Sequence, residues 1–222
     1  MPTLTENGPS GSDVLGQGLY SVADMSRLLA AYGVRANEKT VGTWAQKGLV
    51  QHRRGAPEYS FLDLISMLVV ASLRESGVSL QQVRRAEAHL SNELGVERPF
   101  ATRRIYTDGV DVLYHANPAI AHQLTAANRA GQEVFEPVLR DRLHAVEYQN
   151  ELAAWWQVAE GIRVDPRIQY GDPCIAGRGL RTSRIGAMVR AGESLRSIAH
   201  WYDLSLEDVQ RALRFERALT RP

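Results

Sequence analysis

The sequence contains a single cysteine, very little lysine and no long apolar run. Cys174 has no second cysteine to pair with, so an intrachain disulfide is excluded and a reducing, cytoplasmic location is expected. Of the 26 lysine and arginine residues, only Lys39 and Lys47 are lysine. The longest apolar run, LISMLVVASL, is about half of the roughly 20 residues that a membrane-spanning helix needs. No membrane partner is therefore expected.

Charge is unevenly distributed along the chain, although the formal net charge is only +1. Residues 1–19 and 61–160 carry net charges of −2 and −4, whereas residues 20–60 and 161–222 carry +3 and +4. Two basic ends suit a polyanionic partner, but ordinary scatter over a solvated surface explains the same numbers equally well. At 222 residues, the chain is long enough for two modest domains with real cores.

Residues 1–18 are polar and lack the basic start and apolar core of a signal peptide, so a disordered lead-in is expected. Two short helices are predicted next. Ser21 is a suitable N-cap for the first, and Asn37 for a second that ends near Gly48. This order is typical of a helix-turn-helix, whose second helix enters the major groove of DNA. The outward face of the second helix would carry the base- and phosphate-contacting residues Lys39, Thr40, Thr43, Gln46 and Lys47.

A basic hairpin is predicted directly after these helices, in LVQHRRGAPEYSF. It would act as a wing that grips a phosphate strand through His52, Arg53 and Arg54. Residues 19–96 resemble the MerR-type winged-helix DNA-binding domain. The resemblance rests on this hairpin and on four segments in the same order, YSVADMSRLL, KTVGTWAQKGLV, YSFLDLISMLVV and GVSLQQVRR. The resemblance implies binding of operator double-stranded DNA. A winged helix used only for protein contact is the alternative.

Residues 97–160 are predicted to form a connector that contains a β-hairpin. Two β-rich segments, Arg103–Tyr106 and Val110–Tyr114, flank an Asp-Gly turn signal. The connector would carry a dimerisation surface, with Trp155 and Trp156 filling a core or an interface. The alternative is an effector pocket roofed by these tryptophans, and hence a one-component regulator that senses a small molecule through residues 100–160.

The string GRGLRT, at residues 177–182, has the first two glycines of a dinucleotide-binding loop but Thr182 at the third position. No further strand of a βαβ unit follows, because the sequence keeps starting helices instead. Ser183, Ser194 and Ser205 are each placed to cap one of three short helices over residues 183–219. The glycines are therefore interpreted as turn residues in a β-arm, and Cys174 as a small core residue.

Residues 161–222 resemble VapB-like antitoxins, which have an initial β-arm and a three-helix HTH core. The resemblance rests on Asp165-Pro166, Gly171-x-Pro173-x-Ile175, Gly177 and the Leu204–Val209 helix start. It implies that a homodimeric antitoxin binds a PIN-domain ribonuclease toxin (VapC-like) and represses its own operon. Arg217 and Arg221 are candidates for pairing with the acidic metal site of the toxin. Both are equally suited to be solvated charges at a helix end.

No catalytic constellation is apparent, so the chain is expected not to be an enzyme and to need no cofactor. The six histidines show no paired metal-ligand spacing, and no metal site is predicted. An RNA-cleaving enzyme is the third class considered, and nothing in the sequence favours it. The predicted fold is mainly α with small β elements, an α+β arrangement.

Overall fold

The computed structural model describes Leu15 and residues 18–47, 58–107 and 140–220. In this part of the chain the fold is α+β, as the sequence predicts, with one small antiparallel sheet between two groups of helices in chain order. The helices are α1 (Val22–Ala31), α2 (Glu38–Gln46), α3 (Phe61–Glu75), α4 (Leu80–Leu94), α5 (Arg104–Thr107), α6 (Thr182–Arg190), α7 (Leu195–Trp201) and α8 (Leu206–Leu219). The strands are β1 (Val146–Gln149), β2 (Leu152–Ala159), β3 (Ile162–Val164) and β4 (Cys174–Ile175).

Polar side chains determine where the N-terminal helices begin. Ser21 and Asp24 form a reciprocal capping box at α1, and Ser60 with Asp63 forms another at α3. Asn37 caps α2 by accepting a hydrogen bond from a backbone N–H in its first turn. Each of these oxygens satisfies an N–H that the helix itself leaves unpaired. The caps predicted at Ser21 and Asn37 are confirmed.

Helix α3 forms the centre of the core. All of its residues from Phe61 to Leu73 are buried, so the helix is enclosed on every side by other elements. Its buried polar side chains find partners both within the helix and outside it: the Ser72 hydroxyl donates to the Leu68 carbonyl at 2.8 Å, and the Asp63 carboxylate pairs with Arg98 at 3.1 Å. The apolar run seen in the sequence is thus a core helix. In the described ranges, no helix is long and apolar enough to cross a membrane.

The four strands pair in the order β1-β2-β3-β4, each antiparallel to its neighbour. Successive side chains of β2 point to opposite faces, which separates its two tryptophans. Trp156 is fully buried and packs edge-on against Tyr32, with ring centroids 4.8 Å apart. Trp155 is half-buried on the other face, where the Cζ atom of the Arg163 guanidinium lies 5.0 Å from the centroid of its ring. Trp156 is therefore a core residue that joins the sheet to α1.

The β-segment predicted at Arg103–Tyr106 is wrong, because the structure has helix α5 there. Extended pairing ends one residue earlier, where Thr102 bridges to Leu152 across the sheet edge. The chain then turns into a helix that buries Ile105 completely. Tertiary burial thus overrides the local β preference of these residues. The second predicted segment, Val110–Tyr114, and the Asp-Gly turn lie outside the described residues.

Three helices close the chain, as predicted for residues 183–219. Ser194 caps α7, and Ser205 with Asp208 forms a capping box at α8. The cap predicted at Ser183 is wrong, because α6 already begins at Thr182. The Thr182 hydroxyl is held by the carboxylate of Glu216 on α8 at 2.6 Å, which fixes the helix start by a tertiary contact.

The glycines of residues 177–179 form a turn between β4 and α6. Gly177 and Gly179 have φ angles of +75° and +61°, which side chains other than glycine rarely adopt. The Arg178 N–H donates to the Ile175 carbonyl at 3.1 Å, and the Ile175 N–H donates to the Leu180 carbonyl at 2.9 Å. The turn is thus closed by its own backbone hydrogen bonds, in agreement with its interpretation as a turn.

Candidate nucleic-acid and partner interfaces

Helices α1 and α2 are joined by residues 32–37, which are held in one conformation by contacts within the pair. The buried Ser26 hydroxyl on α1 donates to the Ala36 carbonyl at 2.8 Å. Val34 and Ala36 are buried in the same connection. The connection therefore fixes how α2 is presented on the surface.

One side of α2 packs against the core, and the opposite side is exposed to solvent. Val41, Trp44 and Ala45 are buried against the core. The predicted DNA-contacting residues share the opposite side, where all are exposed except the half-buried Thr40; they are Lys39, Thr40, Thr43, Gln46 and Lys47. The structure thus brings these five residues together on one helix face.

A shallow groove runs along this face, bordered by Val22 at the start of α1 and by Glu38, Lys39, Gly42, Thr43 and Gln46 of α2. The Thr43 hydroxyl donates to the Lys39 carbonyl at 2.8 Å. This hydrogen bond to the helix backbone fixes the orientation of the Thr43 side chain. At the end of the helix, the Arg84 guanidinium donates to the Lys47 carbonyl. A cation at a helix C-terminus is favoured by the helix dipole.

The predicted wing residues His52, Arg53 and Arg54 lie outside the described residues. The structure does describe where the chain returns from this segment. Tyr59 pairs with Tyr20 in an antiparallel bridge, with N–O distances of 2.9 and 2.7 Å. The segment just before α1 and the one just before α3 are thereby held side by side.

Among the carboxyl groups of the N-terminal helices, Glu87 on α4 has the most strongly shifted pKa. Burial raises the pKa of Glu87 to about 7, and the nearby Arg84 guanidinium opposes this shift. No local sequence pattern predicts this shift, because the burial of Glu87 comes from tertiary packing. A carboxyl with this pKa changes charge near neutral pH.

A cleft of about 280 Å³ lies where the N-terminal helices meet the C-terminal segment. It is bordered on one side by Tyr20, Asp24 and Arg27, and on the other by Asp172 and Glu216. Asp24 pairs with Arg27 at 2.6 Å. Sequence reasoning missed this junction, whose components are some 150 residues apart in the chain.

Of the two arginines predicted to bind a toxin, only Arg217 is described. It is exposed on α8 and makes no ion pair with any described residue. Arg211, one turn and a half earlier, is instead held by the carboxylates of Glu160, Glu207 and Asp208. Arg221 lies outside the described residues.

The described residues contain no group of three or more His, Cys, Asp or Glu side chains that could hold a metal ion. Cys174 is buried, and burial raises the pKa of its thiol to about 11, with the Asp172 carboxylate adding to the shift. A thiol of this pKa is a poor nucleophile at neutral pH, because the thiolate is the reactive form. This agrees with the interpretation of Cys174 as a small core residue.

Three comparisons relate the chain to other proteins. A family described as "Protein of unknown function (DUF433)" matches residues 162–215. "Putative antitoxin VapB45" of Mycobacterium tuberculosis is 23% identical over 228 residues, covering 88% of this chain and 92% of that protein. The crystal structure of Rv2018 from Mycobacterium tuberculosis matches with a TM-score of 0.71 at 22% identity, over 89% of this chain and 98% of the other. The chain thus shares its fold with Rv2018 and is similar over most of its length to the protein named "Putative antitoxin VapB45".

Proposed function

We propose that the protein is the antitoxin of a type II toxin–antitoxin pair, which neutralises a PIN-domain ribonuclease and represses its own operon by binding DNA. The observation that carries this proposal is the similarity to "Putative antitoxin VapB45" over 88% of the chain, so that both the N-terminal helices and the C-terminal segment are included. The residue pattern of each part supports one half of the activity. The proposal assigns the chain no catalytic step.

The DNA-binding half is assigned to residues 19–96 as a MerR-like winged helix. Its support is the free face of α2, where Lys39 and Lys47 lie with the hydrogen-bonding side chains of Thr43 and Gln46. Lysine ammonium groups bind phosphates, and Gln or Thr side chains can read base edges in the major groove. A homodimer would place two such helices on the half-sites of a palindromic operator. His52, Arg53 and Arg54 would grip the adjoining phosphates.

The toxin-binding half is assigned to residues 161–222. A PIN-domain nuclease has an acidic metal site, and a guanidinium pairs with carboxylates through two parallel hydrogen bonds. Arg217 supports this assignment because it is exposed and unpaired among the described residues. Arg217 and Arg221, near the end of the chain, would block the site by occupying its carboxylates.

The proposal is tested by expressing the product of the adjacent gene in cells with and without this chain. We expect the neighbour to arrest growth alone, and co-expression of the chain to restore it. A reporter behind the operon's promoter should be repressed by the chain at the same time. A harmless neighbour, or an arrest that the chain does not relieve, would contradict the proposal.

A further inference from the structure

The turn between α1 and α2 is held from outside the helix pair as well as from within it. The Tyr32 hydroxyl donates to the backbone carbonyl of Arg142 at 2.8 Å, and the Arg142 guanidinium donates to the Gly33 carbonyl at 3.4 Å. The Arg35 N–H donates to the Glu75 carboxylate at 2.6 Å. Three residues of one short turn are thus held by partners that lie 40 and 110 positions away in the chain.

The Glu75 carboxylate links these contacts, because its second oxygen pairs with the Arg142 guanidinium at 3.3 Å. Glu75 is the last residue of α3, where the helix dipole disfavours a negative charge. Its position is therefore unfavourable for α3 itself, and the guanidinium and the N–H that its two oxygens accept offset this cost. The side chains of Arg142 and Glu75 are only 28% and 26% exposed, so solvent screens the pair only in part. We call Arg142 and Glu75 together the turn clamp.

Arg142 is attached to the sheet and its core. It lies in a turn of helix directly before β1, next to Leu143, which is fully buried. The Tyr32 ring makes a further contact with the sheet, since it packs against the buried Trp156 of β2. The turn clamp therefore ties the segment before α2 to two buried parts of the fold, helix α3 and the sheet.

The far end of α2 is held in a similar way. Arg84 of α4 donates from its guanidinium to the carbonyl of Lys47, the residue that follows α2. Between its ends, α2 packs mainly on α1 among the described elements. The helix can therefore rotate or shift only by breaking the contacts at its ends, and the turn clamp helps to set the angle at which Thr43 and Gln46 are presented.

We infer that Arg142 is a positioning residue for DNA recognition, which acts through the turn clamp to hold α2 at the angle needed for base reading and does not itself contact DNA. This inference rests on the DNA-binding half of the proposed function. Base reading requires hydrogen bonds of defined length and direction to base edges, so a small rotation of α2 breaks them. Phosphate contacts by flexible lysine side chains adapt to such a rotation. Loss of the turn clamp therefore lowers sequence discrimination and spares general affinity for DNA.

The test measures the affinity of the full-length chain for two duplexes, the promoter of its own operon and a scrambled duplex of the same length and composition. Arg142→Ala removes the guanidinium. Glu75→Gln removes the charge that holds it and keeps an amide oxygen for the Arg35 N–H. Each change is expected to lower the ratio of the two affinities about tenfold, the scale of one lost base contact. The affinity for the scrambled duplex should stay within about twofold of wild type, with an unchanged salt slope.

A double variant and a matched control complete the experiment. Because Arg142→Ala and Glu75→Gln break the same pair, their effects on the ratio should not add, and the double variant should match Arg142→Ala. Arg163→Ala is the control: this arginine is 25% exposed and also pairs with a carboxylate, but it lies beside Trp155, on the sheet face opposite to the one that Tyr32 contacts. The control should keep the wild-type ratio. Urea denaturation of each variant establishes that it is folded under the binding conditions, and Glu75→Gln carries the test alone if Arg142→Ala does not fold.

The outcomes separate this inference from the function on which it rests. If the wild-type chain prefers the promoter and the variants keep that preference, the inference is overturned and the proposed DNA binding stands. If folded variants lose affinity for both duplexes in equal proportion, the turn clamp does not serve base reading and the inference is overturned. A flatter salt slope for Arg142→Ala would assign the arginine to a phosphate and would also overturn it. If the wild-type chain shows no preference for the promoter, both the proposed operator recognition and this inference are overturned.

Discussion

The hydroxyl of Tyr20 donates a hydrogen bond to the carbonyl of Gly171 at 3.1 Å, across 151 positions of the chain. Tyr20 is only 4% exposed, and burial raises the pKa of its phenol far above the usual range, with the Asp172 carboxylate adding to the shift. The phenol therefore remains protonated and acts as a donor at all pH values of interest. This bond joins the segment before α1 to the loop before β4.

Gly171→Ala should destabilise the protein because both the backbone and the space around Gly171 require glycine. Its φ is +79°, and an added Cβ would lie 2.2 Å from the Tyr20 hydroxyl oxygen. We expect a loss of about 3 kcal/mol in the free energy of unfolding, from left-handed strain and overpacking together. Urea denaturation measures it. Gly192→Ala is the matched control, since its φ is +95° and its Cβ would meet nothing within 4 Å.

The same pair is tested by Tyr20→Phe. In the wild-type background this change should cost about 1 to 2 kcal/mol, because a buried carbonyl loses its donor. In the Gly171→Ala background it removes the atom nearest to the added methyl group, so the cost should shrink or reverse. Equal costs in both backgrounds would show that the two residues do not interact.

Asp63→Ala should cost about 3 kcal/mol, more than the loss of an ordinary helix cap. The Asp63 carboxylate is buried, accepts from the Ser60 N–H and hydroxyl at 2.8 and 2.6 Å, and pairs with Arg98 at 3.1 Å. Asp24→Ala is the control, since it removes the same capping box at a site where the side chain is 43% exposed. A cost of about 1 kcal/mol is expected there. Similar losses in both variants would contradict the role of burial.

Local sequence signals predicted most of the longer helices of this fold, but neither the short helix α5 nor the contacts that join the N-terminal helices to the C-terminal segment. Ser21, Asn37 and Ser205 begin helices because a capping oxygen acts within one turn of its own residue. The Tyr20–Gly171 bond depends on how distant segments meet, which no local pattern encodes. Likewise, Ile105 lies in a helix and is fully buried, although the residues around it favour a strand by their local preference.

Glu87→Gln should change the pH dependence of stability. The pKa of Glu87 is raised from 4.5 to about 7 by folding, so the native chain binds more protons than the unfolded chain between these values. Stability is therefore predicted to fall as the pH rises through this window. The neutral variant lacks this loss and should gain about 3 kcal/mol over wild type at pH 8 relative to pH 4.

Denaturant unfolding from pH 4 to pH 8 measures this difference. Glu93→Gln, at an exposed position of the same helix, serves as the control and should follow the wild-type curve. Parallel curves for wild type and Glu87→Gln would show that the carboxyl keeps its ordinary acidity in the folded protein.

Lys39→Ala and Lys47→Ala should weaken operator binding if α2 lies in the major groove as proposed. A lysine that neutralises a phosphate contributes to affinity on every sequence, so the loss should be uniform across operator variants. The slope of log affinity against log salt should flatten by about one unit for each lysine. Arg190→Ala, at an exposed site on α6, should leave both quantities unchanged. A loss confined to one operator position would instead assign the lysine to base reading.

The candidate DNA face was predictable because its pattern is local: buried Val41, Trp44 and Ala45 alternate at helical spacing with the exposed residues of α2. The exposure of the Trp201 side chain was not predictable in this way. Trp201 follows an apolar stripe in the sequence, and only the packing of α7 against α8 shows that its ring stays outside the core. Exposure of an apolar residue is a property of the whole fold.

The most direct test of the proposed function is a nuclease assay with purified components. RNA cleavage by the product of the adjacent gene is measured while increasing amounts of the full-length chain are added. The proposal predicts that cleavage falls in proportion to the chain and that the two proteins co-elute as one complex. Undiminished cleavage with separate elution, at concentrations where both proteins are folded, would contradict the assignment as an antitoxin.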